Sequence, residues 1–128
     1  MKQNQFINEF RVTMTLANTK QPEWSSGVHN HYKVRIAKDG KTFSFDFFSS
    51  TEDAERGEHP TIKDALYCFA SDVFLGKLSH KDFCDEMGCS TDSIRDLKAW
   101  KLCVKFAKNA ERLRITDTIL EEWMSGMI

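Results

Sequence analysis

The stretch HYKVRIAKDGKTFSFDFF, residues 31–48, constrains the fold more than any other part of the chain. Tyr32, Val34 and Ile36 alternate with polar residues before Lys38-Asp39-Gly40-Lys41, and Phe43, Phe45 and Phe47 alternate after it. A period of two puts each apolar set on one side of an extended strand. Asp-Gly tolerates the positive φ angles of the tight turns that join antiparallel strands, so the two runs predict a hairpin. With Asp39 and Gly40 as its loop, Lys38 faces Lys41, Ile36 faces Phe43, Val34 faces Phe45 and Tyr32 faces Phe47. The other face then sets Lys33 against Asp46, a favourable cross-strand pair, and His31 against Phe48. A slip by one residue would turn the three phenylalanines to water, so the register is well specified.

A third strand precedes this hairpin. Phe10, Val12, Met14 and Leu16 alternate with Arg11, Thr13 and Thr15, and the segment Asn18 to Gly27, with its proline, serines and glycine, reads as a connecting loop. Strands are therefore expected near 9–17, 31–37 and 42–48. Beyond residue 59 the period changes. Ile62, Ala65, Leu66, Phe69, Ala70 and Val73 form a helical stripe, opened by Thr61 and Asp64 at capping-box spacing and stopped at Gly76. Ser79 and Asp82 open a short helix that ends at Gly88. A long helix follows from about Asp92 to Arg114, and Thr116-Asp117 start a last one.

These signals predict an α+β fold: an antiparallel three-stranded sheet in the N-terminal half, packed against about four helices in the C-terminal half. A chain of 128 residues fits a single domain, 1–128, with a sheet part over 10–50 and a helical part over 60–127. Ten phenylalanines and three tryptophans supply its core.

Charge and motifs limit the function. The chain has 18 basic and 19 acidic side chains, so the molecule as a whole exerts little long-range pull on nucleic acid or an anionic membrane, and a polyanion site has to be local. No apolar run reaches the ~20 residues of a membrane helix, and MKQNQFINEF lacks the apolar core of a signal peptide; a cytoplasmic protein is expected. Cys68, Cys84, Cys89 and Cys103 would then be reduced thiols. They match no zinc spacing and read as small buried or half-buried side chains. Nucleotide-binding, hydrolase and metalloprotease motifs are lacking. Cys84 lies four residues from His80, but the sequence offers no group to orient that histidine. No catalytic residue, metal or cofactor is assigned, and the chain is not expected to be an enzyme.

Two surfaces remain as binding candidates. His29 and His31 point to one side of an extended chain, together with Lys33 and Arg35. Zinc would need a third ligand there, and the nearest carboxylate, Asp46, already faces Lys33; a polar strand surface is the simpler reading. The long helix carries Arg95, Lys98, Lys101, Lys105, Lys108 and Arg112 at spacings of three or four, which makes one basic stripe. Its apolar positions, Ile94, Leu97, Trp100, Cys103, Val104, Ala107 and Ala110, widened by Ala99, Leu102, Phe106 and Leu113, would be buried. Between Asp92 and Arg114, seven basic residues stand against three acidic ones, so this segment carries +4 and the rest of the chain −5. The candidate partner-binding residues are thus Arg95, Lys98, Lys101, Lys105, Lys108, Arg112, His31, Lys33 and Arg35.

The order of an HYKV strand, a strand ending FDFFSS, GEHPTIKDALYCFASD and KDFCDEMGCSTDSIRDLKAWKLCVKFAKNAERLR resembles a set of small accessory proteins encoded by bacteriophages and prophages. The likeness spans about Tyr32 to Arg114. Its motifs are Pro60, Thr61, Asp64 and Leu66 at a helix start, Ala70-Ser71-Asp72 where the relatives close that helix, and Phe83, Cys84, Glu86, Gly88, Asp92 and Ser93 before the long helix. Where those relatives have Ser-Arg-Lys, this chain has Ser93-Ile94-Arg95. The resemblance implies a phage accessory product in the host cytoplasm that binds a host protein or defence ribonucleoprotein stoichiometrically, an anti-CRISPR-like role. The alternative is a small nucleic-acid-binding regulator using the basic helix face. That reading is less favoured because the stripe lacks stacking aromatics.

Overall fold

Asp39 and Gly40 adopt positive φ angles of 52° and 76° in the computed structural model, which describes residues 1–126. These angles make the tight turn that the sequence calls for between β3 (His29–Lys38) and β4 (Lys41–Phe48). The pairing is the expected one throughout, from Lys38 opposite Lys41 to His31 opposite Phe48.

The sheet has four strands, not three. β1 (Lys2–Ile7) pairs antiparallel with β2 (Phe10–Lys20), giving the order β1-β2-β3-β4. The joining turn, Asn8-Glu9, also has positive φ at both residues, 50° and 69°. β1 was hidden from hydropathy because its residues in register with the buried Met14 and Val12 are Gln3 and Gln5. β2 also runs further than expected: a bulge between Leu16 and Asn18 lets Asn18, Thr19 and Lys20 go on pairing with His31, Asn30 and His29. The loop therefore begins only after Lys20.

The chain divides into two units, Met1–Ala65 and Leu66–Ile128. In the first, one sheet face is buried through Ile7, Phe10, Val12, Met14, Tyr32, Val34, Ile36, Phe43 and Phe45. Phe47, at the end of the stripe, is half-buried. A short helix that hydrophobic periodicity does not announce, α1 (Thr51–Arg56), follows β4. Ser50 caps it by accepting from the Asp53 backbone N–H, and Gly57 closes it in the left-handed conformation.

The remaining helices are α2 (Ile62–Gly76), α3 (His80–Met87), α4 (Ile94–Arg112) and α5 (Asp117–Ser125), so the described residues hold five rather than about four. The helical part expected over 60–127 reaches residue 127, which lies outside the described residues. The start signals do what their chemistry predicts. Thr61 and Asp64 exchange side chain-to-backbone hydrogen bonds at 2.8 and 3.3 Å, and Ser79, Ser93 and Thr116 each accept from a backbone N–H three residues on.

In the second unit the core holds Leu66, Phe69, Ala70, Val73, Phe106, Ala110, Leu120 and Trp123. Gly76 has no room for a side chain, because a Cβ there would overlap the Cys103 backbone carbonyl. The buried arc of α4 is narrower than expected. Ile94 is 74% exposed and Leu102 53%, and Ala99 is also at the surface. Of the expected positions within α4, Cys103, Phe106 and Ala110 are buried.

Candidate functional site

Alternation that buries one face of the sheet exposes the other, and register assigns each exposed neighbour. Asn4, Thr13, Arg35 and Ser44 stand side by side across the four strands. The next row towards the start of β3 is Lys2, Thr15, Lys33 and Asp46, and the row on the other side is Phe6, Arg11, Ala37 and Thr42. Most of these side chains are exposed, Thr13 and Ala37 partly. At one end Phe6 is 65% exposed with the Arg11 guanidinium 5.2 Å from its ring centre.

The other end is built by the loop before β3. Trp24, 64% exposed, lies edge-on to Phe48 at 5.2 Å and 4.9 Å from the His29 ring. His31 stacks on Phe48 at 4.7 Å. By sequence Trp24 falls in a connecting loop, with no pattern to assign it a role. The available signal was a large aromatic within the polar run QPEWSSG, where burial is not its expected fate.

The structure brings His29 and His31 into one cluster but occupies their nitrogens. His29 Nδ1 lies 2.6 Å from the Ser49 carbonyl, so it carries the hydrogen, and Nε2 accepts from the Ser25 hydroxyl at 2.7 Å. His31 Nδ1 accepts from the Asn18 amide at 3.3 Å, and Nε2 donates to Asp46 at 2.8 Å. Lys33 donates to the same Asp46 oxygen at 2.6 Å. The Lys33 hydrogen bond holds the Asp46 carboxyl below the usual carboxylate range, with His31 adding to it against a smaller effect of burial. Among the described residues no three of His, Cys, Asp or Glu are grouped as a metal site would require.

In the second unit α4 places Lys98, Lys101, Lys105 and Lys108 at the surface. None of these lysines forms an ion pair among the described residues. Arg112 donates to the Asn109 side chain at 3.0 and 3.1 Å, and Arg95 lies 3.9 Å from Asp96. Trp100, half-buried, borders the stripe beside Lys101 and Lys105 but donates its indole N–H to the Leu78 carbonyl. It also stacks on His80 at 5.2 Å.

Burial holds the Cys84 and Cys103 thiols in the protonated form. Cys84 is buried against Phe83 and Cys103, and burial pushes its thiol up to about 11, with the neighbouring Cys89 adding to the shift. A group raised so far remains a thiol at neutral pH. Cys68, expected to be at least half-buried, is exposed. It occupies a helix position between the buried Leu66 and Phe69 but on the wet side.

No family model matches the sequence, and no curated protein or solved structure matches it either. Among the described residues no helix is long and apolar enough to cross a membrane.

Proposed function

We propose that the protein acts by stoichiometric binding rather than catalysis, and that its partner is a host antiviral ribonucleoprotein complex. The observation that carries the reading is the uncovered sheet face, on which exposed Phe6 and Trp24 bracket rows of cationic and hydroxyl side chains. Exposed large aromatics and arginines are the residue types that anchor interfaces. His31, Lys33 and Arg35 all lie on this face. The resemblance to phage accessory proteins supplies the class of partner.

The test is a titration. Purified protein is added to a purified CRISPR effector complex of the host while target cleavage is followed. Inhibition should be complete near one equivalent, and expression of the gene should restore plaque formation on an immune host. Inhibition by a small fraction of an equivalent would indicate turnover and overturn the binding reading.

A second reading rests on a separate observation, the four exposed lysines of α4, which form no ion pair among the described residues. On that reading the protein is a small nucleic-acid-binding regulator. Replacing Lys98, Lys101, Lys105 and Lys108 by glutamine should then flatten the dependence of log affinity on log salt by about 0.9 for each duplex DNA phosphate that is no longer neutralised.

A further inference from the structure

We propose that the open sheet face binds a single strand of RNA. The inference rests on the reading of this face as the binding surface and names what it holds.

Charge is the first argument. Lys2, Arg11, Lys33 and Arg35 share the face with one strand carboxylate, Asp46, which is engaged by Lys33 and His31. In a chain with 18 basic and 19 acidic side chains, such local segregation selects a polyanion. Arg35 sits at the centre, exposed and without an ion pair among the described residues. Its guanidinium presents the fork geometry that suits a phosphate.

The second argument concerns the bases. Phe6 marks one end of the face and Trp24 with Phe48 the other. The row of Phe6 and the row of Phe48 lie six residues apart along β3, or about 20 Å at the rise of an extended strand. Exposed rings at both ends of a cationic track offer stacking positions for unpaired bases. A duplex keeps its base faces covered and cannot use them.

The third argument separates RNA from DNA. Thr13 and Ser44 flank Arg35, with Asn4 beyond Thr13 and Thr15 in the next row, and these side-chain donors and acceptors have no hydrogen-bond partner among the described residues. A 2′-hydroxyl, both donor and acceptor, meets such groups; deoxyribose does not.

The experiment uses the full chain and a labelled, unstructured oligoribonucleotide, roughly ten nucleotides long and so within the site sizes of known single-strand platforms. Fluorescence anisotropy should give micromolar binding at about 0.15 M salt. Same-sequence DNA should bind more weakly and duplex weaker still. Arg35→Gln should lose roughly tenfold, as expected for a hydrogen bond to a charged group. It should also reduce the salt slope by about 0.7 for the phosphate released. Binding should quench tryptophan fluorescence in the native chain and not in Trp24→Phe. Lys101→Gln/Lys105→Gln, on α4, should bind as the native chain does.

Failure of the native chain to bind RNA would overturn the inference, as would binding abolished in the α4 variant but kept in Arg35→Gln. Equal affinity for DNA would overturn the assignment to RNA. If the oligonucleotide does not bind while the defence complex is still inhibited, the inference falls and the binding reading stands. If RNA binds and no complex is inhibited, the reverse holds.

Discussion

The Gln3 side-chain carbonyl accepts the backbone N–H of Ile62 at 3.1 Å, while its amide nitrogen donates to the Pro60 carbonyl at 2.8 Å. A residue of the first strand thereby satisfies one of the N–H groups that every helix start leaves without an intrahelical partner. Gln3→Ala should cost roughly 1 kcal/mol, the net worth of a hydrogen bond, with more if Ile62 is left unsatisfied. Urea unfolding measures the loss. Exchange of the Ile62 amide should quicken, and unchanged protection there would show that another group caps the helix.

Phe45 lies on the buried face and Ser44 on the open one. Phe45→Ala should destabilise by roughly 3–5 kcal/mol as a large-to-small core change, whereas Ser44→Ala should stay within about 0.5 kcal/mol. Equal costs at the two positions would contradict the register.

Burial raises the Asp72 carboxyl from 3.8 to about 6. The folded chain therefore holds this proton more tightly than the unfolded chain does. The favourable contribution is fully present below about pH 4 and is lost as pH rises through about 6. Asp72→Asn should raise stability near pH 8 and give little advantage near pH 4. Denaturant midpoints across this range check the prediction, and a gap between the proteins that widens towards acid would refute it.

All four imidazole nitrogens of His29 and His31 are engaged within the protein. Chelator should leave the melting temperature unchanged, and elemental analysis should find no stoichiometric zinc. One equivalent of zinc, absent from His29→Ala/His31→Ala, would reverse this conclusion.

The hairpin was legible because two levels of information agree: Asp39-Gly40 demands the turn, and the turn sets the facing phenylalanines in register with Ile36 and Val34. β1 was not, since Gln3 and Gln5 stand in register with the buried Met14 and Val12, where hydropathy expects apolar residues. α1 had a legible cap in Ser50 and a stop in Gly57, but six residues with none buried show no periodicity. The basic positions of α4 follow from helical spacing alone. Its buried arc does not, because which neighbours reach Ile94 and Leu102 depends on tertiary packing. Of the open face, Lys33 and Arg35 could be read from alternation. Trp24 could not, because a loop residue has no periodicity to place it beside Phe48.

Gly76 ends α2 against the backbone of α4, where any Cβ would strike the Cys103 carbonyl and come within 2.8 Å of the Val104 nitrogen. The approach is of main chain to main chain, so no rotamer can relieve it. Glycine at this position is therefore a tracer for descent. A distant sequence that has exchanged its surface residues, its basic stripe and even its aromatic rim can share this helical unit only if it keeps glycine where the two backbones meet.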